Sequence, residues 1–467
     1  MSLVLYNSLT RKKEVFHPIH AGKVGMYTCG PTIYDRKHIG NFRTYTTADF
    51  LVRVLKFSGY EVTHIMNFTD VGHLTGDNEG DADQGEDRLV KAAKRERKTA
   101  WDIAKMYEDI FLDDFAKMGL LPVNRYVRAT DHIQEQINMI QTLEEKGFAY
   151  QISDGVYFDT QAFEEKTGSM YGQLSTLDEI KEGARVGVNS EKHHPRDFAL
   201  WKKSPLGEKR DMEWESPWGI GFPGWHIECS AMSIKYLGET FDIHVGGEDL
   251  RSTHHPNEIA QSEGATSKPF VHYWLHSSFV LIDGGRMSTS LGNNYKVQDI
   301  IDRGYDPLVL RYLYMMTHYR KQLNFTWEAL AAADHALRNL QETVCLWDKP
   351  TDISSVYEEQ FRSAMNDDLN FSTALAVLWQ MVHDAQITSA VKSATLLRFD
   401  QVLGLQLSTF VAVPFVIPED VQDLAKERER ARQKKDFALS DLLRQKIQEY
   451  GFLVEDTTDG PKIRKGS

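Results

Sequence analysis

The order of elements near the N-terminus constrains the fold most. Residues 23–32 predict a short strand that ends in a Gly-Pro turn, residues 42–58 have the apolar spacing of a helix, and residues 60–66 predict a second strand. A strand, a helix and a strand in this order form a βαβ unit, which builds parallel sheets. Ligands of open parallel sheets bind at the carboxyl ends of the strands. We therefore expect a ligand site where these strands end.

The remaining chain continues this sheet and then becomes helical. Residues 118–200, with a helix pattern from Asp131 to Glu145, are interpreted as an insertion between two halves of the sheet. Strand patterns return at 241–245 and 278–282, and the pattern is mostly helical from about residue 297. Two prolines in residues 407–418 predict a linker between domains.

Composition excludes several classes of protein. The chain has 467 residues, 41% of them hydrophobic and 26% charged, which excludes disorder throughout its length. It has neither a run of about 18 apolar residues nor the pattern of a secretory signal, so we expect no membrane association. Its 3 cysteines suggest a reducing, cytoplasmic location rather than a disulfide framework. A net charge of −13 argues against non-specific nucleic-acid binding, although residues 421–467 are slightly basic.

Two loops have the chemistry of phosphate binding. The segment HIGN at 38–41 lies where a strand leads into a helix, and helix N-termini attract phosphate. The segment GGRMSTSLGN at 284–293 offers hydroxyls, one cation and a glycine pair that could wrap a polyphosphate. Either segment alone is also compatible with an ordinary helix start or a solvated connection.

Taken together, the two loops resemble the HIGH and KMSKS motifs of class I aminoacyl-tRNA synthetases. Further segments are similar to the cysteinyl-tRNA synthetase family in particular. They are YTCGPTIYD at 27–35, GWHIECSAM at 224–232, HHPNEIAQS at 254–262, KPF at 268–270, YRKQLNF at 319–325, NDDLNF at 366–371, ARQKKDF at 431–437 and EDT at 455–457. The resemblance covers nearly the whole chain in order.

The resemblance implies an activity and an architecture. The chain would activate L-cysteine with ATP and Mg²⁺ to cysteinyl-adenylate and transfer the cysteinyl group to the terminal ribose of tRNA(Cys), acting as a monomer. The fold would be α/β, and its expected domains are a Rossmann-like catalytic domain at 1–117 and 201–317, an inserted subdomain at 118–200, a helical tRNA-binding bundle at 318–410 and an anticodon-binding domain at 411–467.

The resemblance also implies one zinc ion per chain, held by Cys29, Cys229, His254 and Glu258. His254 and Glu258 are four residues apart, so both can face one point from a helix. Zinc binds thiolate better than hydroxyl, which would select cysteine over serine. His255 is a competing ligand. A purely structural zinc is the alternative, because four protein ligands normally make a closed site.

The family motifs assign further site residues. The expected catalytic residues are His38, Asn41, Arg286, Ser288 and Thr289. The expected ATP contacts are Gly40, Gly246, Gly247, Asp249, Met287 and Ser290. The expected walls of the cysteine pocket are Thr69, Asp70, Trp225 and His226. A core role for Trp225 and a helix-cap role for Asp249 are the alternatives.

The signature loop departs from the family pattern. Thr289 stands where the family usually has a second lysine that contacts phosphate, and Asn41 replaces the second histidine of the other motif. The loop therefore keeps one cation, Arg286, where two are usual. This departure puts the activation rate and the identity of the phosphate contact in doubt.

Two other functions fit parts of the pattern. A paralogous ligase would activate cysteine in the same way and pass it to a small amine, but that relative generally lacks the C-terminal domain. A non-catalytic tRNA-binding or cysteine-sensing protein would explain the altered loop. The full zinc set and His38 argue against it.

Overall fold

The computed structural model describes residues 2–72, 74, 85–175, 190–205, 207, 210–288, 292–413, 417–457 and 460–465. The strands are β1 (Val4–Asn7), β2 (Lys12–Val15), β3 (Lys23–Thr28), β4 (Glu61–Phe68), β5 (Arg125–Arg128), β6 (Ala149–Ile152), β7 (Gly155–Phe158), β8 (Phe198–Lys203), β9 (Gly221–Pro223), β10 (Phe241–Gly247), β11 (Val271–Ser277), β12 (Val280–Ile282), β13 (Gly285–Arg286), β14 (Leu323–Phe325), β15 (Phe452–Thr457) and β16 (Gly460–Lys465). The α-helices are α1 (Ile39–Phe57), α2 (Arg88–Glu96), α3 (Ala100–Lys117), α4 (Ile133–Glu145), α5 (Thr160–Thr167), α6 (Trp225–Leu237), α7 (His254–Thr266), α8 (Val297–Asp302), α9 (Pro307–Met316), α10 (Trp327–Cys345), α11 (Ser355–Asn366), α12 (Phe371–His383), α13 (Ser389–Leu403), α14 (Glu419–Gln433) and α15 (Phe437–Glu449).

A five-stranded parallel sheet carries the N-terminal part of the chain. Its strand order is β11-β10-β3-β4-β5, and every neighbouring pair is parallel. The predicted βαβ unit is confirmed as β3, α1 and β4. The apolar residues of this unit are buried, because the faces of a parallel sheet are covered by the helices that connect its strands.

The direction in which strands are added to this sheet changes at β3. The chain adds β4 and β5 on one side of β3, and later adds β10 and β11 on the other side. A crevice at such a switch point is the usual ligand site of an open α/β sheet. Cys29 follows β3 directly, and its amide donates to the Val245 carbonyl of β10 at 3.1 Å. The predicted metal ligand therefore lies at the switch point.

Helix α1 starts three residues earlier than the sequence pattern predicts. His38 caps it, because the imidazole accepts a hydrogen bond from the Asn41 amide and the Asn41 side chain accepts one from the His38 amide. The apolar pattern begins only at Phe42, which explains the difference. The helix ends at Phe57, and Gly59 follows with a φ of 93°.

The inserted subdomain has different limits from the predicted 118–200. Strand β5 belongs to the parallel sheet, whereas β6, β7, β8 and β9 form a separate antiparallel sheet that reaches Pro223. Helix α4 and the start of α6 pack on this second sheet around Ile140, Trp201 and Ile227. The short strand at 125–128 has no clear alternation, so the sequence did not reveal its pairing with β4.

A small sheet next to α1 carries the second signature loop. Strand β12 pairs with β13 antiparallel and with β14 parallel. Arg43 of α1 is 1% exposed, and its guanidinium donates to the carbonyls of Ser278, Phe279, His318 and Lys321 at 2.5–3.1 Å. One buried cation therefore holds the segments that flank β12 and β14 against the helix that begins at His38.

The second compact unit comprises residues 297–313, 326–361 and 374–467 and is mainly helical. Thr326 caps α10, as predicted, by accepting a hydrogen bond from the Ala329 amide at 3.0 Å. Near the C-terminus, α14, α15 and β15 share a small core that includes Val421, Ile447 and Phe452. Residues 414–416 of the predicted linker lie outside the described residues. Among the helices described, none has the length and apolarity needed to cross a bilayer.

Replacing Arg43 by methionine should lower the free energy of unfolding of the sheet-bearing unit by more than about 3 kcal/mol, because four carbonyls lose a charged donor in a buried place. Urea unfolding followed by tryptophan fluorescence measures the effect. Arg95→Met is the matched control, since the Arg95 side chain is 53% exposed and donates to the Glu96 carboxylate and to the Tyr107 hydroxyl rather than to backbone carbonyls. It should cost less than about 1 kcal/mol. Equal losses in the two variants would contradict the role given to Arg43.

Candidate active site and metal centre

A cavity of about 780 Å³ opens at the carboxyl ends of β3 and β10. Its lining includes nine of the residues that the sequence singled out. They are Cys29, His38, Asn41, Trp225, Gly247, Asp249, Arg286, Met287 and Ser288. The two signature loops and one predicted metal ligand therefore share a single cavity, of a size suited to a small-molecule ligand.

At the cavity floor, where Cys29 belongs to the lining, two thiols, an imidazole and a carboxylate converge. Ligand atoms of Cys29, Cys229, His254 and Glu258 all lie within 4.8 Å of one another, and all four residues are buried. The two sulfur atoms are 3.9 Å apart, and His254 Nε2 is 3.0 Å from Glu258 Oε1. Three different segments supply these groups: the end of β3, the first turns of α6 and the first turns of α7.

This donor set fits a zinc ion. At a Zn–S distance of about 2.3 Å, two thiolates of a tetrahedral site lie about 3.8 Å apart, close to the 3.9 Å between Cys29 and Cys229. That separation is too long for a disulfide, and both cysteines are free thiols. Two thiols with one histidine and one carboxylate form a donor set that zinc accepts. These four residues could therefore hold the ion that the resemblance implies.

Two further histidines orient these ligands. His226 Nδ1 is 2.8 Å from His254 Nδ1, which leaves Nε2 of His254 directed to the cluster. His244 Nε2 is 2.9 Å from Glu258 Oε2, which leaves the other carboxylate oxygen directed to the cluster. Hydrogen bonds of this kind fix the ring orientation of metal-binding histidines and the position of ligating carboxylates.

A second group of possible ligands shares two members with the first. Cys29, His244, His255 and Glu258 also have their ligand atoms within 4.8 Å of one another. His255 Nε2 is 3.4 Å from the Cys29 sulfur, and its Nδ1 is 2.8 Å from His276. The first group supplies two thiols and the second only one, so zinc chemistry favours the first.

Charge within the cluster favours a cation. Burial alone would raise the pKa of Glu258, but the neighbouring His244 and His254 lower it to about 2. Burial opposes ionisation of Cys229 too, yet hydrogen bonds from Cys29 and His254 lower its pKa to about 6. Burial opposes protonation of His254, but the neighbouring Glu258 and Cys229 raise its pKa to about 10, and burial raises the pKa of the Cys29 thiol. Metal binding requires deprotonated ligands, so a bound cation would replace the protons of His254 and Cys29.

His38 is a neutral hydrogen-bond donor at the cavity wall. Burial, with the nearby cations Lys296 and Lys37, lowers its pKa to about 3. Nδ1 accepts a hydrogen bond from the Asn41 amide at 3.2 Å, so the proton of the neutral ring is on Nε2. A neutral imidazole in this tautomer can donate to a phosphate oxygen.

The two signature loops meet at Gly40. A Cβ at this glycine would lie 3.0 Å from the His38 ring and 3.5 Å from the Met287 methyl group. A side chain at position 40 would therefore displace the imidazole. Asn293 holds the second loop, because its side chain accepts from the Ser288 amide at 2.8 Å and donates to the Arg286 carbonyl at 3.2 Å. Thr289 and Ser290 lie outside the described residues.

The candidates for the amino-acid pocket have different positions. Trp225 lines the cavity, and its ring centroid is 4.4 Å from that of His254. Thr69 and Asp70 are buried where β4 ends and are not among the described lining residues. The Asp70 carboxylate accepts from the amide and the hydroxyl of Thr130, and burial raises its pKa to about 6. His226 lies below the floor, beside His254.

The last two residues of β10 are glycines that allow close packing. A Cβ at Gly246 would lie 2.5 Å from the His255 ring, and a Cβ at Gly247 would lie 2.2 Å from an oxygen of Asp249. Gly247 and Asp249 both line the cavity.

Sequence reasoning missed several residues of this site. The sequence identifies His244 only as part of a strand. Its contact with Glu258 results from the position of β10 beside β3. Lys37 and Lys296 both line the cavity and were not singled out. Their closeness to the two motifs in the sequence is the signal that could identify them. Lys37 directly precedes His38, and Lys296 lies seven residues after Thr289.

Three family models match the chain in sequence order. The class I (C) tRNA synthetase catalytic domain matches residues 15–335, the DALR domain matches residues 360–408, and the cysteinyl-tRNA ligase anticodon binding domain matches residues 416–464.

Curated relatives match over nearly the whole length. "Cysteine--tRNA ligase 1" of Burkholderia lata is 46% identical over 466 residues, which span 99% of this chain and 97% of that protein. The cysteine–tRNA ligase of Treponema denticola is 39% identical over 491 residues, 98% of each chain.

Solved structures share the fold at low identity. Methionyl-tRNA synthetase of Mycobacterium tuberculosis in complex with methionyl-adenylate has a TM-score of 0.56 at 14% identity, covering 90% of this chain and 96% of that one. A second structure of that protein, bound by the same adenylate, has a TM-score of 0.54 at 14% identity, covering 82% of this chain and 88% of that one. The predicted α/β fold with a Rossmann-like sheet is confirmed.

Variants of the cluster should separate the two ligand groups. His254→Ala should lose most of the zinc from the purified protein, because it removes a ligand of the two-thiol group. His244→Ala should keep about one zinc per chain and bind it roughly 10- to 100-fold more weakly, as expected for an orienting partner. Elemental analysis after dialysis against a mild chelator measures both, with circular dichroism to verify folding. Zinc lost in His255→Ala and retained in His254→Ala would instead support the one-thiol group.

Proposed function

Because the chain belongs to the family of cysteine–tRNA ligases, we propose that the cavity above the Cys29 cluster is its active site. The family makes the chain an ATP-dependent ligase with cysteine, ATP, Mg²⁺ and a cysteine tRNA as its reactants. The strongest support for placing the active site here is that one cavity is lined by His38 and Arg286 and also reaches Cys29 of the thiol cluster.

The first half-reaction joins cysteine to AMP. A carboxylate oxygen of cysteine attacks the α-phosphorus of ATP, the bond from that phosphorus to the β-phosphate breaks, and pyrophosphate leaves. Negative charge builds on the phosphoryl oxygens, where the Nε2 proton of His38 and the Arg286 guanidinium can stabilise it. No proton transfer is required of His38, which suits a ring held neutral by burial and by nearby cations.

The second half-reaction transfers the cysteinyl group to tRNA. A hydroxyl of the terminal ribose, the 2′-hydroxyl in this class, attacks the carbonyl carbon of the adenylate. The bond from that carbon to the phosphate oxygen breaks, AMP leaves, and the proton of the hydroxyl passes to the departing phosphate. Asn41, Gly40 and Met287 would hold the nucleotide through the loop contacts described above, with Ser288, Thr289 and Ser290 beside the phosphates. Gly246, Gly247 and Asp249 would lie against the ribose or base. Positioning and charge stabilisation account for this chemistry without a covalent enzyme intermediate.

Selection of cysteine would occur at the cavity floor. Cys29, Cys229, His254 and Glu258 would hold zinc there, and the bound ion would supply a Lewis acid that prefers a thiolate to a hydroxyl. Trp225 forms the adjoining wall. Thr69 lies next to this part of the cavity, because its backbone forms hydrogen bonds with Pro31 and Ile33 of the loop that follows Cys29. Asp70 and His226 would then act indirectly, through Thr130 and His254.

A ligase that passes cysteine to a small amine fits less well. The match to an anticodon binding domain at 416–464 and relatives named cysteine–tRNA ligase over the full length do not favour it.

Charging of a cysteine tRNA transcript by the full-length protein tests the proposal. With ATP and Mg²⁺, kcat/KM for cysteine should exceed that for serine by more than about 10³, beyond the roughly 10- to 200-fold that a hydrophobic pocket can give. Comparable charging with serine would contradict thiol selection. Cysteine-dependent ATP–pyrophosphate exchange without charging would point to another acceptor.

His38→Ala should lower kcat of ATP–pyrophosphate exchange by about 10²- to 10³-fold, because one donor to the transition-state charge is lost. KM for cysteine should change little, since His38 is not part of the thiol cluster. His318→Ala is a matched control, because His318 is not among the described lining residues of the cavity. An exchange rate within twofold of the parent protein would contradict the role of His38.

A further inference from the structure

The second signature loop has too little positive charge for its proposed task. A triphosphate and its pyrophosphate leaving group carry several negative charges, and the loop offers only Arg286, with a neutral threonine at 289. The cavity wall has other cations in the lining: Arg36, Lys37, Arg88 and Lys296. These four cations differ in their partners and in how they are held relative to His38.

Two of these cations have structural partners that occupy them. The Arg36 guanidinium forms two hydrogen bonds with the Asp114 carboxylate, at 2.8 and 2.5 Å. Arg88 donates to the Tyr34 hydroxyl at 2.9 Å and lies over the same ring. Both side chains therefore stabilise the cavity wall through these contacts.

Lys37 is a weaker candidate than its position suggests. Its ammonium lies 4.6 Å from the centre of the Tyr34 ring. Burial, together with the nearby cations Lys296 and Arg88, lowers its pKa to about 7. At neutral pH this group carries only part of a charge.

Lys296 is fixed next to His38 by the backbone. Residues 38 and 296 form an antiparallel bridge, and the Ile39 amide donates to the Tyr295 carbonyl at 2.9 Å. This bridge joins the N-terminus of α1 to the segment that leads from the signature loop into α8. Lys296 also lowers the pKa of both His38 and Lys37, which indicates that its charge is close to these groups.

We propose that Lys296 is the phosphate-binding cation that replaces the lysine missing at position 289. With His38 and Arg286, it would complete the site for the β- and γ-phosphates. Lys296 follows position 289 by seven residues in the sequence, and the described residues on both sides of the gap, Ser288 and Asn294, line the same cavity. This inference rests on the proposed function of the cavity.

Substitution at 296 tests the inference in the full-length protein. Lys296→Ala should lower kcat of cysteine-dependent ATP–pyrophosphate exchange by about 100-fold, as for loss of one transition-state contact, and should raise KM for pyrophosphate. Lys296→Arg should keep most of the activity, since the charge is retained. Zinc content and KM for cysteine should not change.

A charge transplant separates phosphate binding from a merely structural role. Adding Thr289→Lys to Lys296→Ala should raise the exchange rate at least tenfold above that of Lys296→Ala alone, because it returns a positive charge to the signature loop. Lys105→Ala, exposed on α3 and paired with Asp109, is the control lysine and should behave like the parent.

Distinct results would overturn the inference. Lys296→Ala within twofold of the parent would show that the cation is not needed. A double variant no better than Lys296→Ala, with circular dichroism unchanged, would show that Lys296 acts through the bridge to His38 alone. If Lys296→Ala does not fold, loss of activity in Lys296→Arg would count against the inference as well. A parent protein with no cysteine-dependent exchange would instead refute the proposed function itself.

Discussion

The parallel pairing of β3 with β10 is the contact on which the rest of the site depends. It brings Cys29, at the end of one strand, next to the crossover that carries Cys229, 200 residues later in the chain. The sulfur atoms then lie 3.9 Å apart without any bond between them. Helix α7 adds His254 and Glu258 from the same face. A one-strand change in sheet order would remove Cys29 from this cluster and leave three polar groups buried without it.

Opposite charges are separated along the cavity. The floor holds a carboxylate and a thiolate that stay ionised although they are buried, because histidines and a second thiol hydrogen-bond to them. The cavity lining is cationic near His38, with Lys296 bridged to His38 through the backbone and Arg286 on the second signature loop. Such an arrangement suits a reaction between a substrate held by its sulfur at the floor and a polyphosphate held at the mouth. The neutral state of His38 follows first from burial and then from the nearby Lys296 and Lys37, so Lys296 contributes both to the donor role of His38 and to the proposed phosphate site.

Much of the fold and part of the candidate site were predictable from the sequence. The βαβ unit, the strand predicted at 241–245, the cap at Thr326 and the convergence of the four expected ligands follow from patterns and family motifs. The limits of the insertion were not predictable, because β5 has four residues and no alternation, and only its pairing with β4 assigns it to the main sheet. The hydrogen bonds that His226 and His244 make to the cluster depend on the crossing of α6, α7 and β10, which no local pattern encodes. Lys296 was missed for the same reason, since its bridge to His38 joins distant segments.

Selection of cysteine by the metal requires that the substrate sulfur reach the thiol cluster. Zinc K-edge X-ray absorption of the full-length protein, with and without L-cysteine, measures this directly by counting the sulfur atoms bound to the metal. We expect two sulfur ligands in the free protein, three after L-cysteine is added, and two with L-serine. An unchanged count of two with saturating L-cysteine would show that the metal is structural and that selection of cysteine occurs elsewhere.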